Sequence, residues 1–313
     1  MSALALIAVG GNAIIKPGTA GTIEEQWQVT EETCAHVVSV IQAGFDVVLT
    51  HGNGPQVGNI LVRSEAARNV LPTLPLDVCG ADAQGGMGYM FQQQLDRMLK
   101  HAGVDKPVLS ILTQVVVDKE DPAFQKPTKP IGPFYTREEA NQHIAESGWD
   151  MIEDSGRGYR RVVASPLPEA IVEEAGIRTL IASGAALICL GGGGIPVVRE
   201  EDGTYRGCAA VVDKDRSSAL LAKRLNVELF IISTAVPQVS LHFGTPEERR
   251  LCSMTVAEAR QYIEEGHFKP GSMLPKIEAL IEFVQNGQGE GLITCPEEIA
   301  EAVQGKAGTR VVR

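Results

Sequence analysis

Three glycine-rich turns, each placed directly after an apolar run, are the residues of this sequence best suited to chemistry. They are Gly10-Gly11-Asn12, Gly52-Asn53-Gly54 and the run at 191–194. An apolar run bounded by turn residues is typical of a buried parallel strand. Glycine at the carboxyl end of such a strand lets backbone N–H groups approach an anion, and ligands of open α/β sheets bind at that edge. The turns therefore predict one large anion-binding site built mostly of backbone N–H groups.

Three lysines lie where they could neutralise such an anion. Lys129 stands between two prolines, whereas Lys214 and Lys276 stand at the starts of predicted helices. A lysine at a helix N-terminus is unfavourable for the helix unless an anion lies between them. Phosphoryl transfer depends on positioning and electrostatic stabilisation, which compact ammonium groups supply. Asp213 and Asp215, on either side of Lys214, are candidates to hold Mg²⁺ or to orient a lysine.

Each of these patterns also has an ordinary structural interpretation. A single glycine turn after a strand is usually a tight connection to the next helix. A lysine at a helix start is usually a solvated surface residue, and Asp213-Lys214-Asp215 is also typical of a polar helix cap. His51 is equally suited to a structural role, in which it bonds the adjoining turn. The residues alone therefore indicate an anion- or nucleotide-binding α/β protein, with a kinase as one of the open interpretations.

Composition and missing motifs exclude several other classes. The 313 residues are 44% hydrophobic, which is enough for a packed core, and the net charge of -11 disfavours nucleic acid and anionic membranes as partners. Walker A, H-E-x-x-H and G-x-S-x-G motifs are absent, as is a G-x-G-x-x-G turn opening a helix. The six cysteines are far apart without zinc-ligand spacing. We therefore expect reduced thiols, no signal peptide, no membrane span and a cytoplasmic location.

Strand and helix patterns alternate along most of the chain and predict a largely parallel, doubly wound sheet. Residues 3–9 form the first predicted strand, and residues 22–43 the first helix, capped by Thr22 with Glu25. The β-branched run at 108–117 predicts one long strand. Four prolines then interrupt residues 118–134 and rule out a regular helix or a central strand there. We expect a protruding subdomain from there to about residue 165.

Several motifs together resemble those of a known family. They are G-G-N-A at 10–13, H-G-N-G-P-Q-V-G at 51–58, P-T-K-P-I-G at 127–132, D-K-D at 213–215 and G-S-M-L-P-K at 271–276. In this order they resemble the carbamate kinases of the amino acid kinase superfamily, over essentially the whole chain. The resemblance implies a three-layer α/β/α sandwich with a mainly parallel central sheet. It also implies a cytoplasmic homodimer that transfers a phosphoryl group reversibly between ATP and carbamate with Mg²⁺, in the direction of ATP synthesis during nitrogen-compound catabolism such as arginine breakdown.

The resemblance also assigns roles to the residues that match the family motifs. Carbamoyl phosphate and the transferring group would be bound by Gly10, Gly11, Asn12, Gly52, Asn53 and Gly54. Lys129, on a lid at 118–165, would close over the acceptor. Lys214 and Lys276 would neutralise the phosphoryl oxygens, and Asp215 would organise these lysines. The nucleotide would be bound by Asp213, Lys214, Phe243, Met273 and Lys276. One domain would span 1–313, with the carbamate half at about 1–180 and the nucleotide half at about 181–313.

The sequence departs from the family pattern in the nucleotide half. Pro237 stands where the family has an acidic residue, Thr245 stands in place of a turn lysine, and Arg216 after D-K-D is unusual. Two further hypotheses stay open, and Pro237 and Thr245 support the second of them. One is a related kinase for another small acid, and the other is a ligand-binding homologue with weakened catalysis.

Overall fold

A computed structural model provides the structure of the chain and describes residues 2–11, 14–15, 19–154, 156–287 and 289–313. Within these ranges the strands are β1 (Ala3–Val9), β2 (Phe45–His51), β3 (Val108–Ser110), β4 (Gln114–Val117), β5 (Lys129–Tyr135), β6 (Met151–Glu153), β7 (Tyr159–Val163), β8 (Pro168–Ile171), β9 (Ala186–Ile188), β10 (Ile195–Arg199), β11 (Tyr205–Gly207), β12 (Leu229–Ser233), β13 (Ser240–Leu241), β14 (Arg249–Arg250), β15 (Ser253–Thr255), β16 (Glu290–Thr294) and β17 (Thr309–Val312). The helices are α1 (Ile23–Gln42), α2 (Gly54–Ala66), α3 (Leu76–His101), α4 (Arg137–Ser147), α5 (Glu174–Ala182), α6 (Lys214–Leu225), α7 (Val256–Glu264), α8 (Leu274–Asn286) and α9 (Ile299–Val303).

A mainly parallel sheet of eight strands forms the middle layer, in the order β15-β17-β16-β12-β1-β2-β9-β3. Only the β16–β17 pair is antiparallel among these described strands. Successive side chains of a strand point to opposite faces. Accordingly, Leu6 and Ala8 of β1 pack with α5 to α8, whereas Ile7 and Val9 pack with α1, α3 and α9. The prediction of a three-layer α/β/α fold is therefore confirmed.

The predicted cap of the first helix is confirmed in detail. The Thr22 hydroxyl accepts a hydrogen bond from the Glu25 amide at 3.3 Å, and the Glu25 carboxylate accepts one from the Thr22 amide at 2.9 Å. This reciprocal pair satisfies two amides that the helix itself leaves free. It fixes the start of α1, which packs against α3 on one face of the sheet.

The prediction of a single long strand at 108–117 is wrong. Residues 108–110 form β3 at the edge of the eight-stranded sheet, and residues 114–117 form β4 in a second sheet of order β11-β10-β4-β8. Between them the Thr113 amide donates to the Gln84 side chain at 2.6 Å, and the Thr113 hydroxyl accepts from the Leu190 amide at 3.1 Å. The chain therefore changes sheets at a point where its apolar, β-branched composition continues without a break.

A third, smaller sheet of order β5-β7-β6 carries helix α4 and lies between β4 and β8 in the chain. Pro130 and Pro133 lie in β5, which is an edge strand, the position where a sheet tolerates proline. Val117 of β4 and Pro168 of β8 are paired neighbours, so the segment between them leaves and rejoins the second sheet at one place. Among the described residues, none of the helices is long and apolar enough to cross a membrane.

Two glycines form the contact between β5 and α2. A Cβ atom added to Gly58 would lie 2.1 Å from the Cα of Gly132, which has a φ of +72°. We expect Gly58→Ala to lower the free energy of unfolding by about 1–3 kcal/mol, because α2 and β5 must separate to admit the methyl group. Gly80→Ala in α3, where the added atom meets nothing within 4 Å, should raise it by about 0.5–1 kcal/mol. Urea denaturation of both variants measures these free energies of unfolding. Equal values for the two variants would contradict a close contact between Gly58 and Gly132.

Candidate active site

The first two glycine turns lie side by side because the strands that precede them are parallel neighbours. Val9 at the end of β1 pairs with His51 at the end of β2. A Cβ atom added to Gly52 would lie 3.5 Å from the Gly11 amide nitrogen and 3.6 Å from Cδ of Lys214. The structure therefore brings together both turns and one of the three lysines at the carboxyl edge of the sheet.

The third glycine turn supports the second one. A Cβ atom added to Gly192 would lie 2.2 Å from Nδ2 of Asn53, and one added to Gly193 would lie 2.3 Å from the Val212 carbonyl oxygen. Two amides of this turn are already bonded, because Gly193 donates to the Leu190 carbonyl and Gly194 donates to the Gly191 carbonyl. Its main visible role is thus to pack Asn53 and the start of α6 against one another.

The three lysines are gathered by two aspartates at the start of α6. Lys129 Nζ donates to Asp213 Oδ2 at 2.7 Å. Lys276 Nζ donates to Asp215 Oδ2 at 2.8 Å, and Lys214 Nζ donates to the other oxygen of the same carboxylate. Three ammonium groups and two carboxylates leave the cluster with a net charge of +1. The cluster is thus suited to receive an anion.

Local sequence explains where each of these side chains stands. Asp213 is the N-cap of α6, and its Oδ1 accepts from the Asp215 amide at 3.0 Å. Capping by aspartate is favourable because it satisfies free amides and complements the helix dipole. Lys276 lies in the first turn of α8, which packs beside α6, and Lys129 is the first residue of β5. The cluster therefore joins three separate elements.

Burial and charge set the protonation of the cluster. Burial alone would raise the pKa of Asp215, but the adjacent Lys214 and Lys276 outweigh it and hold that pKa well below its ordinary value. Burial and the charge of Asp215 would raise the pKa of Asp213, but Lys129 and Lys214 outweigh them and lower it. Burial lowers the pKa of Lys214, and Asp215 opposes that shift. Both aspartates are therefore ionised at neutral pH.

The aspartates are better placed to orient lysines than to hold a metal ion. Both carboxylate oxygens of Asp215 accept from an ammonium group, and Asp213 divides its oxygens between Lys129 and the helix cap. In the part of the chain that the structure describes, His, Cys, Asp and Glu side chains form no group of three that could bind a metal. Mg²⁺ is commonly held by substrate phosphates with few protein ligands. This mode fits the site better than a cage of protein carboxylates.

The other residues singled out in the sequence occupy varied positions. Gly10 lies near the end of β12, Asn53 is buried before α2, and Gly54 begins α2 with open space around it. Asn12 lies outside the described residues. Phe243 is exposed on a turn, and Met273 precedes α8 beside the core.

Two positions have contacts that the sequence did not reveal. Arg216 forms an ion pair with Glu278 of α8 at 3.0 Å, so its charge has a partner within the protein. The Gln84 side chain accepts a hydrogen bond from the Thr113 amide and donates one from Nε2 to the Gly191 carbonyl oxygen at 2.9 Å. A glutamine inside a helix carries no local signal of such a role.

Comparison with known proteins gives one consistent result. The family model described as "Amino acid kinase family" matches residues 3–295. The chain is 46% identical to the carbamate kinase of Pyrococcus horikoshii over 98% of both chains, and 46% identical to the carbamate kinase-like protein YahI of Escherichia coli over the full length of both. The structure of Giardia lamblia carbamate kinase bound to AMP-PNP is similar with a TM-score of 0.92 at 40% identity, covering 99% of this chain and 98% of that one. The chain therefore belongs to the amino acid kinase family and, within it, to the carbamate kinases.

Proposed function

We propose that this protein is a carbamate kinase that transfers a phosphoryl group reversibly between ATP and carbamate. The observation that carries the proposal is the cluster of three lysines around Asp213 and Asp215, next to two glycine turns at the carboxyl edge of the sheet. Phosphoryl transfer needs charge stabilisation around the moving group. The cluster supplies that charge together with backbone donors.

The reaction needs no nucleophile from the protein. In the direction of ATP synthesis, an oxygen of the ADP β-phosphate attacks the phosphorus of carbamoyl phosphate. The bond from phosphorus to the carbamate oxygen breaks, and carbamate leaves with the electron pair. Lys214 and Lys276 would stabilise the charge on the phosphoryl oxygens while Asp215 fixes their positions, and Lys129 would approach from β5. Mg²⁺, bound through the nucleotide phosphates, would neutralise further charge.

We assign the binding roles in the same way. Gly10, Gly11, Asn12, Asn53 and Gly54 would bind carbamoyl phosphate. Gly52 would contribute close backbone approach rather than a donor, because its own amide donates to the Val9 carbonyl at 3.0 Å. The nucleotide would lie in the half at 181–313, near Asp213, Phe243 and Met273. Residues 118–165 would act as a lid that carries Lys129.

We further propose a cytoplasmic homodimer working in nitrogen-compound catabolism, in the direction of ATP synthesis. Free thiols at all six cysteines are consistent with a reducing compartment. Strand β3 forms one edge of the eight-stranded sheet, and Tyr89 and Leu112 near it are 58% and 55% exposed. Exposed apolar side chains beside the edge strand of a sheet are typical of a surface that contacts another chain.

A coupled assay tests the proposed activity. Purified protein with Mg²⁺, ADP and carbamoyl phosphate should form ATP, measured with luciferase, well above a blank with the Lys214→Met variant. No ATP above this blank would contradict the proposal. A panel of other acyl phosphates would then test the related small-acid kinase, and calorimetry showing ADP binding without turnover would indicate the ligand-binding homologue.

A further inference from the structure

His51 is a completely buried side chain directly before the second glycine turn, and the proposed reaction does not use it. Its exposed fraction is 0%, and its ring packs on Phe91 with the centroids 5.2 Å apart. Its Nδ1 lies 3.0 Å from the carbonyl oxygen of Gly52. Because a carbonyl oxygen only accepts, Nδ1 must carry the proton in this hydrogen bond.

The environment keeps this imidazole neutral. Burial lowers the pKa of His51 to about 4, and the charge of Lys214 adds to this effect, while the bond to Gly52 opposes it. With the proton on Nδ1, the other ring nitrogen Nε2 is unprotonated, and it is buried without a hydrogen-bond partner among the residues that the structure describes. His51 therefore acts as a fixed N–H donor near neutral pH rather than as a general acid or base.

Peptide geometry carries the effect of this bond to the next amide. In a trans peptide the C=O and N–H groups point in opposite directions, and the described part of the chain contains no cis peptide bond. The Gly52 carbonyl points to His51, whose ring lies on the face of α3. The Asn53 N–H must therefore point the other way, away from the imidazole and from α3. No acceptor for that N–H is present among the described residues.

The third glycine turn is shaped around the same imidazole. A Cβ atom added to Gly191 would lie 2.6 Å from Nε2 of His51 and 2.8 Å from Cγ of Gln84. Gln84 in turn holds the Gly191 carbonyl. Glycine at position 191 thus leaves the space that the ring occupies, and the ring is held between two turns.

We propose that His51 is a positioning residue, which holds the Gly52–Asn53 peptide so that the Asn53 N–H is presented to the transferring phosphoryl group. The inference rests on the proposed function for the identity of that group. The Asn53 side chain is fixed in parallel, because it packs flat against Gly192. His51 acts through this peptide and does not itself touch the substrate.

Three substitutions of His51 distinguish the effect of its N–H donor from the effect of the size of its ring. His51→Asn keeps an N–H near the position of Nδ1, His51→Gln places its N–H near the position of Nε2, and His51→Leu removes the donor. We expect the leucine and glutamine variants to lose about 10- to 100-fold in kcat, with the KM for ADP changed less than threefold. The kcat of the asparagine variant should be at least tenfold higher than the kcat of the leucine and glutamine variants. His101→Leu at the exposed end of α3 is the matched control and should keep wild-type kinetics.

A second measurement is independent of turnover. In ¹⁵N–¹H NMR spectra, titration with inorganic phosphate should shift the Asn53 amide resonance in the wild type and in His51→Asn. It should leave that resonance unshifted in His51→Gln. Equal kcat values and equal shifts for the asparagine and glutamine variants would overturn the inference, even if the leucine variant fails to fold. A wild type that binds phosphate through Asn53 but makes no ATP would contradict the proposed function and leave His51 in its positioning role.

Discussion

Asp215→Asn is expected to lower kcat by about 100- to 1,000-fold and to destabilise the fold. Asp215 is 3% exposed and accepts from both Lys214 and Lys276. The amide removes the negative charge and leaves two partly buried ammonium groups that repel one another. Removing one partner of a buried pair costs about 3–5 kcal/mol. Without the carboxylate that accepts from both lysines, their ammonium groups lose their fixed positions around the phosphoryl group, which slows the reaction by the factor given above. Steady-state kinetics and urea denaturation measure the two effects.

The stability loss should depend on pH in a defined direction. The pKa of Asp215 is lower in the folded state than in the unfolded state, so its contribution is fully present above the unfolded pKa of about 3.9. That contribution falls by about 1.4 kcal/mol per pH unit as the pH drops below this value. The difference in stability between the wild type and Asp215→Asn should therefore narrow on acidification. A difference that widens would contradict the assigned shift.

The matched control is an exposed ion pair of the same type. Lys100 Nζ contacts Asp96 at 2.7 Å, one turn away on α3, and both side chains are exposed. Asp96→Asn should change the free energy of unfolding by at most about 0.5 kcal/mol and leave kcat unchanged, because water and salt screen exposed pairs. Equal losses in the two variants would show that the buried cluster has no special role.

Lys129→Met is expected to lower kcat by about 100- to 1,000-fold while leaving the fold intact. Its ammonium group is the only one of the three that comes from the β5–β7–β6 sheet, and its side chain is 32% exposed. Because this ion pair is more exposed than the Asp215 pairs, its loss should cost less stability than Asp215→Asn. Loss of a charge that stabilises the moving phosphoryl group costs much in rate. Kinetics with carbamoyl phosphate and ADP, together with thermal melting, separate the two effects.

Lys126→Met provides the matched control for this lysine. Lys126 lies three residues earlier in the same segment, and its side chain is exposed. We expect wild-type kinetics for this variant. If Lys129→Met also retains a rate within threefold of the wild type, Lys129 has no part in the mechanism.

Local patterns predicted the regular elements well where one strong signal decided the outcome. β1 spans the predicted residues because its apolar run is bounded by turn residues on the carboxyl side. α1 begins where Thr22 and Glu25 predicted it. The sequence also predicts helices at 57–70 and 84–102, but the structure has these helices begin earlier, at Gly54 and Leu76. Proline at position 55 is accepted in the first turn of a helix, and the glycines of α3 weakened its helical pattern.

The site shows the limit of local patterns more clearly. Position at a helix start was enough to select Lys214 and Lys276, and the alternative interpretation of Asp213 as a cap is also confirmed. The bond from Lys129 to Asp213 joins residues 84 positions apart on different elements, so no spacing in the sequence could indicate it. The sequence also could not indicate that residues 108–117 are divided between two sheets, because composition does not encode which strands pair.

The pairing of Val117 with Pro168 has a consequence for how this architecture can change. The segment between them starts and finishes at adjacent points of one ladder, so its removal or replacement leaves both anchor strands where they are. An insertion of this kind can be gained, lost or exchanged between genes in a single event without remaking the host sheet. Related proteins can therefore differ in this module while the eight-stranded sheet is inherited unaltered.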